Sequence, residues 1–413
     1  MADVQPLRAL HYDLARTGGL QAVTAPPYDV IDPEQRAALL ASSPHNVVEV
    51  DLPTGEDPYR HAAETFAAWQ AEGILVRDPE PALWALEQDY TGPDGRARTR
   101  RGFFARVRVE DYGPGRIRPH ERTHPGPKED RLSLTRATRA NLSPIFTLYD
   151  DPAGAAWSAL EPHTARQPFG AVSDPDGTLH RIWRIADPAA IARVHDALAA
   201  AELLIADGHH RYETARAYAA EHPGEPDAGW VLMCLVALED PGLTVFPTHR
   251  LVKGRGQAAY ERLAAVLRER FDIEETTPEA LAPPPGDGPA TFGYLDSHIR
   301  RPFRLALRNP EAVGGLDGPL ARLDTAILEQ LLLKGPLGLG DEDISHLHDF
   351  GYARDARQAI ELVTRGEFDV AFLLRPTPVR QVREIAAAGQ SMPPKSTYFF
   401  PKVPTGLLFN PLA

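Results

Sequence analysis

The spacing of hydrophobic positions along the chain predicts alternating strands and helices. Continuous apolar runs at Leu203–Ala206 and Trp230–Leu238 are typical of buried strands, and the alternation in Asn46–Leu52 indicates a half-buried strand. Apolar residues recur at helical spacing in Asp57–Glu72, and a further helix is predicted near Pro188–Ala200. The expected fold class is therefore α/β (α+β), with a mixed sheet.

The remaining elements follow from similar patterns. Further strands are predicted at Ala82–Gln88, Gly102–Val109, Ser143–Tyr149, Leu243–Arg250 and Phe368–Leu374, and further helices at Pro33–Leu40 and Leu132–Asn141. Residues 116–131 have little apolar periodicity, and we expect the Pro-Gly-Pro sequence at 125–127 to exclude the middle of a helix. That segment is therefore predicted to be a loop rich in charged groups.

Turn residues suggest how the chain is organised into domains. Residues 273–290 are acidic and contain prolines at 278 and 283–285, which is typical of a linker or an exposed loop. They would separate an α/β region at 1–272, which carries the candidate site, from a second α/β region at 291–413. The extended tail of that second region is expected to fold back and pack against the rest of the protein.

Charge and composition exclude several classes of function. The 413 residues contain 44 Lys and Arg against 57 Asp and Glu, a net charge of −13, which argues against nucleic acid as a partner. Neither an apolar run long enough to cross a membrane nor a signal-peptide pattern is visible, so we expect a cytoplasmic protein without a membrane partner. The single Cys234 lies in an apolar run and is predicted to be a small buried hydrophobic residue.

Asp207-Gly-His-His-Arg211, between a predicted strand and a predicted helix, is the sharpest chemical feature. Gly208 would let the backbone approach a ligand, and the start of the helix would attract an anion. Arg211 and one or both of His209 and His210 would neutralise phosphate oxygens, while Asp207 would hold a metal ion or a substrate hydroxyl. The structural alternative is a turn with a capping aspartate and surface histidines.

A second group of candidates lies around residue 120. His120-Glu121-Arg122-Thr123-His124 precedes Lys128 and Arg131, and a carboxylate beside several cations suits a general base with an anion clamp. Thr248-His249-Arg250 would add a further cation. Weaker candidates for the same pocket are Lys395-Ser-Thr397 and Lys402 in the tail, and Tyr28 and Asp29. Surface lysines and a plain turn are the alternatives for these residues. A solvated charged loop and a polar strand end are the alternatives.

Metal chemistry is a third interpretation of the first motif. His209, His210 and Glu213 would be the ligands of a metal-dependent hydrolase, although adjacent histidines rarely reach one ion and the i, i+4 histidine pair of helical zinc sites is missing. The sequence also contains no phosphate-loop, dinucleotide-binding or nucleophile-elbow motif.

Several of these segments together resemble a bacterial and archaeal family known as domain of unknown function 1015. The resemblance rests on Ala25-Pro-Pro-Tyr-Asp-Val-Ile31, Pro119-His-Glu-Arg-Thr123, Lys128-Glu-Asp-Arg-Leu132, Asn141-Leu-Ser-Pro-Ile-Phe146, Ile205-Ala-Asp-Gly-His-His-Arg-Tyr-Glu-Thr-Ala215, Pro247-Thr-His-Arg250 and Pro394-Lys-Ser-Thr-Tyr398. These segments extend over nearly the whole chain.

Asp207-Gly-His-His-Arg211 is also similar to the phosphate-binding motif of the ParB/sulfiredoxin-like fold, which includes free serine kinases. The resemblance implies that residues 208–211 bind the donor phosphate, that Asp207 lies beside the substrate or Mg²⁺, and that Glu121 is the base. It also implies ATP, ADP or pyrophosphate as the donor, and added subdomains around a ParB/sulfiredoxin-like phosphate-binding element.

The leading hypothesis is a small-molecule phosphotransferase that acts on a hydroxyl group, with free L-serine as one acceptor. Its catalytic residues would be Glu121, Asp207 and His209. The residues expected to bind phosphate or nucleotide are Gly208, His210, Arg211, Lys128, Arg131, Thr248, His249 and Arg250. A nucleotide-binding regulatory module without turnover and the metal-dependent hydrolase are the alternatives. The metal ligands, the substrate and the oligomeric state stay open at this point.

Overall fold

The computed structural model describes residues 2–92, 94–121, 123, 125–286, 288–309 and 313–412. The chain divides into two compact units. The first unit comprises Met1–Pro119, Thr123–Thr244 and Pro401–Ala413, and the second comprises His120–Arg122 and Val245–Phe400. The segment 273–290, predicted to be a linker or an exposed loop, lies within the range of the second unit.

The strands are numbered in chain order. They are β1 (Val4–Gln5), β2 (Leu10–Tyr12), β3 (Leu75–Arg77), β4 (Leu83–Thr91), β5 (Ala97–Arg108), β6 (Ile117–Arg118), β7 (Ala140–Asn141), β8 (Ile145–Tyr149), β9 (Gly170–Ser173), β10 (Leu179–Ile185), β11 (Leu203–Asp207), β12 (Trp230–Ala237), β13 (Thr244–Phe246), β14 (His249–Val252), β15 (Phe271–Glu275), β16 (Thr291–Asp296), β17 (Pro302–Leu307), β18 (Phe350–Ala353), β19 (Val370–Leu373), β20 (Tyr398–Phe400) and β21 (Asn410–Pro411).

The α-helices are numbered in the same way. They are α1 (Leu14–Thr17), α2 (Pro33–Ser42), α3 (Val48–Asp51), α4 (Pro58–Ala71), α5 (Pro125–Thr138), α6 (Ala155–Thr164), α7 (Pro188–Leu198), α8 (His209–Glu221), α9 (Gln257–Arg270), α10 (Asp324–Leu328), α11 (Asp341–Ser345), α12 (Ala356–Thr364) and α13 (Val379–Ala387). A π-helix covers Glu329–Lys334, and short 3-10 helices include Tyr28–Val30 and Pro278–Ala280.

The first unit is built on a mixed sheet. Within the described residues its strand order is β6-β11-β8-β12-β5-β4-β10-β9, with β1 paired to β5. Strand β11 runs parallel to β6 and antiparallel to β8, so that Asp207 lies opposite Phe146, whereas β12 runs parallel to β8. The predicted α/β class with a mixed sheet is confirmed.

The core of the first unit places helix α8 against this sheet. Tyr212 and Ala215 of α8 belong to the same buried cluster as Ile145, Ile205 and Met233 from the neighbouring strands. Burying such side chains contributes about 1.5–3 kcal/mol each for the larger ones. The start of α8 is therefore held firmly next to the end of β11.

The second unit has its own sheet and its own core. The strand order is β15-β17-β16-β19-β14-β18 for the residues that the structure describes. Its largest core cluster includes Phe292, Leu305, Phe350 and Phe372, all of which are nearly inaccessible to solvent. Helix α9 contributes Leu263 and Leu267 to the same cluster.

Three predictions of secondary structure are wrong. The segment 46–52 is not a strand and contains the short helix α3 at Val48–Asp51, since a short helix buried on several sides needs the same valines as a half-buried strand. Residues 125–131, predicted to be a loop, form the first turns of α5, because prolines are tolerated in a first turn where the N–H has no partner. Residues 243–250 form two strands, β13 and β14, that are interrupted at Pro247.

The last described residues belong to the first unit. Thr405 pairs with Ala25 and Phe409 with Leu10 through backbone bridges, while β21 pairs with β7. The longest helices in the described parts of the chain have 14 residues, and no helix there has the length and apolar character needed to span a bilayer.

Candidate functional site

Gly208 forms the turn between β11 and α8. Its backbone has φ = 95° and ψ = 30°, in the left-handed region that side chains other than glycine rarely adopt. A Cβ at this position would also lie 3.0 Å from Arg211 Nε. Among the described residues no side chain caps the start of α8, so the positive end of the helix dipole is not neutralised by a capping group.

Asp207, the last residue of β11, forms ion pairs with two cations. Its Oδ1 accepts a hydrogen bond from Lys402 Nζ at 2.6 Å, and its Oδ2 accepts one from Arg211 Nη2 at 2.7 Å. Burial opposes ionisation, but Lys402 and Arg211 outweigh it and hold the pKa of Asp207 well below its usual range. Asp207 is therefore a permanent anion that anchors two positive side chains.

Arg211 is fixed in place by a second contact. Its Nη1 donates a hydrogen bond to the carbonyl of Pro144, just before β8, and its side chain is only 11% exposed. Two cations around one carboxylate leave a local excess of positive charge at the start of a helix. Such an arrangement favours the binding of an anion.

The two histidines of the motif occupy different environments. His209 is buried at 5% exposure and its charge interaction lowers the pKa of Asp207, after the larger effects of Lys402 and Arg211. His210 is half-buried at the first turn of α8. The structural alternative of two surface histidines is therefore wrong for His209.

Arg211 also lines a cavity with a volume of about 40 Å³ in the first unit. The other polar groups around it come from distant parts of the sequence. They include Tyr28, Asp51, Arg131, Ser143 and Thr214. Residues from the segments 25–31, 128–132, 141–146 and 205–215, which carry the family resemblance, thus meet in one place.

Arg131 organises the opposite side of this cavity. Its Nη1 donates to the backbone carbonyl of Asp51 at 2.7 Å and to Asp51 Oδ1 at 3.2 Å, while its Nε donates to Asp130 at 2.7 Å. The guanidinium lies 4.4 Å from the centre of the Tyr28 ring, a cation–π contact. Arg131 and Tyr28, both predicted as pocket residues, are therefore in contact.

Asp51 was not among the predicted site residues. This carboxylate is 4% exposed, and burial raises its pKa despite the opposing charges of Arg131 and Arg211. Ser143 donates a further, long hydrogen bond to it at 3.4 Å. The prediction of a strand at 46–52 concealed its role, because an acidic residue near a strand end has no distinctive spacing.

Helices α5 and α8 lie side by side and point in the same direction. Near their starts, Thr214 donates a long hydrogen bond of 3.5 Å to the carbonyl of Lys128, and near their ends Arg136 contacts Glu221 at 2.6 Å. The positive ends of both helix dipoles are therefore close to each other. Lys128 lies in the first turn of α5, at this end of the pair.

The remaining predicted site residues belong to the second unit. Arg250 is buried, donates to the carbonyl of Pro394 at 3.1 Å, and lies 4.9 Å from the centre of the Tyr352 ring. The charges of Tyr352, Glu329 and Glu121 all act on it, although burial has the larger effect and lowers its pKa. Glu121 forms a backbone bridge with Met392.

His249, also in the second unit, is buried in the interior. It is 1% exposed, and its Nδ1 accepts a hydrogen bond from the Leu374 N–H at 3.1 Å. Burial lowers its pKa to about 4, with a smaller effect from Arg250, so the ring is neutral at pH 7. Thr248 precedes it, and its carbonyl accepts a hydrogen bond of 2.6 Å from Arg250. Arg122 and His124 of the second motif lie outside the described residues.

The residues proposed as metal ligands do not form a ligand cluster. Across the part of the chain that the structure describes, no group of three or more His, Cys, Asp or Glu side chains is arranged to hold a metal ion. Glu213 instead contacts Arg216 at 3.3 Å. The trio of His209, His210 and Glu213 therefore lacks the arrangement that a metal-dependent hydrolase needs.

A comparison with protein families identifies the chain. A family model described as "Protein of unknown function (DUF1015)" matches residues 4–367. The chain belongs to the DUF1015 family. A separate comparison with curated proteins finds no match.

Solved structures similar to this DUF1015 protein have low sequence identity to it. A conserved hypothetical protein from Pyrococcus furiosus is 15% identical, covering 73% of this chain and 93% of its own, with a TM-score of 0.37. A free serine kinase in complex with AMP is 15% identical, covering 72% and 86%, with a TM-score of 0.38. A C-terminally truncated SbnI from Staphylococcus aureus is 12% identical, covering 74% and 81%, with a TM-score of 0.36.

Proposed function

We propose that this protein is a phosphotransferase that moves a phosphoryl group from ATP, ADP or pyrophosphate to the hydroxyl of a small compound. The observation that carries the proposal is the pairing of Asp207 with both Arg211 and Lys402 at the uncapped start of α8. Phosphoryl transfer depends mainly on positioning and on neutralising the charge of the transferred group. Free L-serine is the first acceptor to test, because the motif at 207–211 resembles that of free serine kinases.

In this proposal the start of α8 holds the donor. The backbone N–H groups that follow Gly208 contact phosphate oxygens, and Arg211 and Lys402 neutralise charge that develops on the transferred phosphoryl group. His209 and His210 add donors on the first turn of the helix. Lys128 and Arg131 supply further positive charge from α5.

Asp207 has two roles in the proposed site. Without a ligand it holds Arg211 and Lys402 in place, and with a donor bound it offers a carboxylate oxygen to a cation carried by the phosphates. Mg²⁺ is usually bound by one or two carboxylates together with substrate phosphates, so a single aspartate fits this type of site. Mg²⁺ would neutralise charge on the donor phosphates.

Glu121 is the proposed general base. It would accept the proton of the acceptor hydroxyl while the hydroxyl oxygen forms its bond to phosphorus and the bond to the leaving phosphate breaks. Thr248, His249 and Arg250 are proposed to take part in binding phosphate or nucleotide. His249 would do so as a neutral ring, since its pKa is about 4.

The test is a direct assay of transfer. Purified protein is incubated with Mg²⁺, L-serine and each of ATP, ADP and pyrophosphate, and phosphoserine is measured by mass spectrometry. The same incubation with a panel of hydroxylated amino acids covers other acceptors. Arg211→Ala should lower turnover by about 10²-fold or more, as expected for the loss of a group that stabilises transition-state charge.

Matched variants separate the roles of the residues. Glu121→Gln should lower turnover by about 10²–10⁴-fold and leave donor binding within about twofold, because a base acts on the acceptor. Glu129→Gln, in an exposed side chain of α5, serves as its control. Absence of transfer with every donor and acceptor would refute the phosphotransferase, and donor binding without transfer would instead indicate a regulatory nucleotide-binding module.

A further inference from the structure

Arg100 is a buried arginine in the middle of β5 that the site described above does not use. It is 1% exposed, and its Nε and Nη2 both donate to Gln88 Oε1, at 2.9 and 2.5 Å. The guanidinium also lies 4.4 Å from the centre of the Phe146 ring. Phe146 is the residue opposite Asp207 in the pairing of β8 with β11.

A chain of buried hydrogen bonds fixes the orientation of Arg100. Gln88 Nε2 donates to His180 Nδ1 at 2.9 Å and to the Lys402 carbonyl at 3.0 Å. His180 Nε2 in turn lies 3.0 Å from Asp174 Oδ2. Because Nδ1 accepts, the proton of a neutral His180 is on Nε2, which agrees with the lowering of its pKa by burial.

Among the described residues, one nitrogen of this fixed guanidinium has no hydrogen-bond partner. Arg100 Nη1 is buried and makes no hydrogen bond to any residue that the structure describes. Burial lowers the pKa of Arg100 to about 10, so it is still charged at pH 7. A buried charged group without its full set of hydrogen bonds is costly, and such groups are often found at functional sites.

The charges of two aspartates act on Arg100. They are Asp240 and Asp207, and Asp207 is already paired with Arg211 and Lys402. The backbone of Lys402 is also tied to Gln88, so Arg100 and Lys402 are positioned by the same glutamine.

We propose that Arg100 is an additional anion-binding residue of the donor site, and that its Nη1 binds a phosphate oxygen of the donor. This proposal rests on the phosphotransferase function proposed above. The fork of a guanidinium suits a phosphate group, and its partner Gln88 carries no charge that would compete with the ligand. Since Arg100 is 1% exposed, the phosphate reaches Nη1 after covering side chains move.

The experiment measures donor binding to the full chain by isothermal titration calorimetry, with pyrophosphate, ADP and ATP as probes. Arg100→Met should weaken the binding of each donor that the wild-type protein binds by at least tenfold. Arg100→Lys restores the positive charge. The logarithm of its dissociation constant should therefore return at least a third of the way from the Arg100→Met value to the wild-type value. Arg98→Met is the matched control, because Arg98 lies on the same face of β5 and is paired with Asp94 at 2.6 Å.

A second variant covers the case in which Arg100→Met does not fold. Gln88→Glu keeps the size of the side chain and places a carboxylate against the same guanidinium, so it should weaken donor binding at least fivefold. Wild-type affinity in either folded variant, or an equal loss in Arg98→Met, would overturn the role of Arg100 and leave the phosphotransferase proposal standing. A wild-type protein that binds none of the three donors would overturn both proposals.

Discussion

Lys402 and Asp207 form a hydrogen-bonded ion pair of 2.6 Å across 195 positions of sequence. The two side chains are 17% and 19% exposed, so water screens their attraction only in part. The pair joins the segment 401–412 to the end of β11, directly before the glycine turn. It therefore helps to hold in place the carboxylate that Arg211 also contacts.

Replacing Lys402 tests the contribution of this pair to stability. Lys402→Met should lower the free energy of unfolding by about 1–3 kcal/mol, because Asp207 keeps its charge and loses one of its two cations. Urea unfolding followed by circular dichroism measures the change. Lys395→Met, at an exposed lysine, is the control and should stay within about 0.5 kcal/mol of the wild-type protein. Equal effects of the two substitutions would contradict a specific role for Lys402.

The same variant has an expected dependence on pH. Asp207 has a pKa below its usual range, so its stabilising effect is complete above the ordinary carboxyl pKa and is lost as the pH falls through the folded value. Removing Lys402 raises the folded pKa of Asp207. The stability difference between wild type and Lys402→Met should therefore shrink as the pH is lowered below about 4. A difference that grows in acid would have the wrong sign.

Substitution of Gly208 tests the geometry of the turn. Gly208→Ala should cost about 1–3 kcal/mol, because φ = 95° is unfavourable for alanine and the new Cβ would contact Arg211. Gly224→Ala is a suitable control, since a Cβ there would meet no atom within 4 Å and its φ is not positive. Thermal unfolding of the two variants provides the comparison. A Gly208→Ala protein as stable as the control would show that the turn accepts a side chain.

Because His249 is buried as a neutral ring, we expect the folded protein to lose stability in mild acid. Burial holds its folded pKa at about 4, whereas an unfolded histidine titrates near 6.5. Between these values the unfolded chain binds the extra proton, so stability falls as the pH decreases, by up to about 3 kcal/mol from this residue. His249→Asn retains an acceptor for the Leu374 N–H and should flatten the pH profile between about 4 and 6.5.

The control for this profile is His195→Asn, since His195 is an exposed histidine in α7. That substitution should leave the slope of stability against pH as it is in the wild-type protein. Denaturant midpoints at half-unit steps of pH would measure both profiles. An unchanged slope in His249→Asn would contradict a neutral buried ring at position 249.

We expect the thiol of Cys234 to be unreactive in the folded protein. It is fully buried in β12, and burial raises its pKa to about 12, so almost no thiolate is present at pH 8. Because it is the single cysteine of the chain, a chromogenic disulfide reagent should label about one thiol per chain in guanidinium and almost none under native conditions. Rapid native labelling would indicate that β12 opens locally.

The sequence predicted those parts of the site that have distinctive spacing. Arg211 and Gly208 were found because a strand, a glycine and a helix start follow one another, and β11 and α8 have the expected boundaries. Arg131 was found because charged residues cluster around it. The predicted roles of these residues in binding or catalysis stay predictions, as do those of Asp207, His209, His210, Glu121, Lys128, Thr248, His249 and Arg250.

Other contacts of the site were missed or only weakly indicated by the sequence, because they arise from the packing of the folded chain. Asp51 looked like the end of a strand, and its function as a buried partner of Arg131 depends on the packing of α3. Arg100 lies among several arginines of β5, and the sequence does not show which of them faces the interior. Lys402 was only a weak candidate, because its long-range contact with Asp207 has no local signal in the sequence.

The position of residues 401–412 has a consequence for the time at which the first unit can finish folding. A ribosome completes residues 1–244 well before it makes Lys402, Thr405 and Phe409, which this unit needs for its contacts with Asp207, Ala25 and Leu10. The nascent unit must therefore wait, with its partner positions on β11 and β2 still uncovered, while the intervening 156 residues of the second unit, Val245–Phe400, are synthesised. At about 5–20 residues per second this interval lasts on the order of 8–30 s, during which Asp207 lacks one of its two cations.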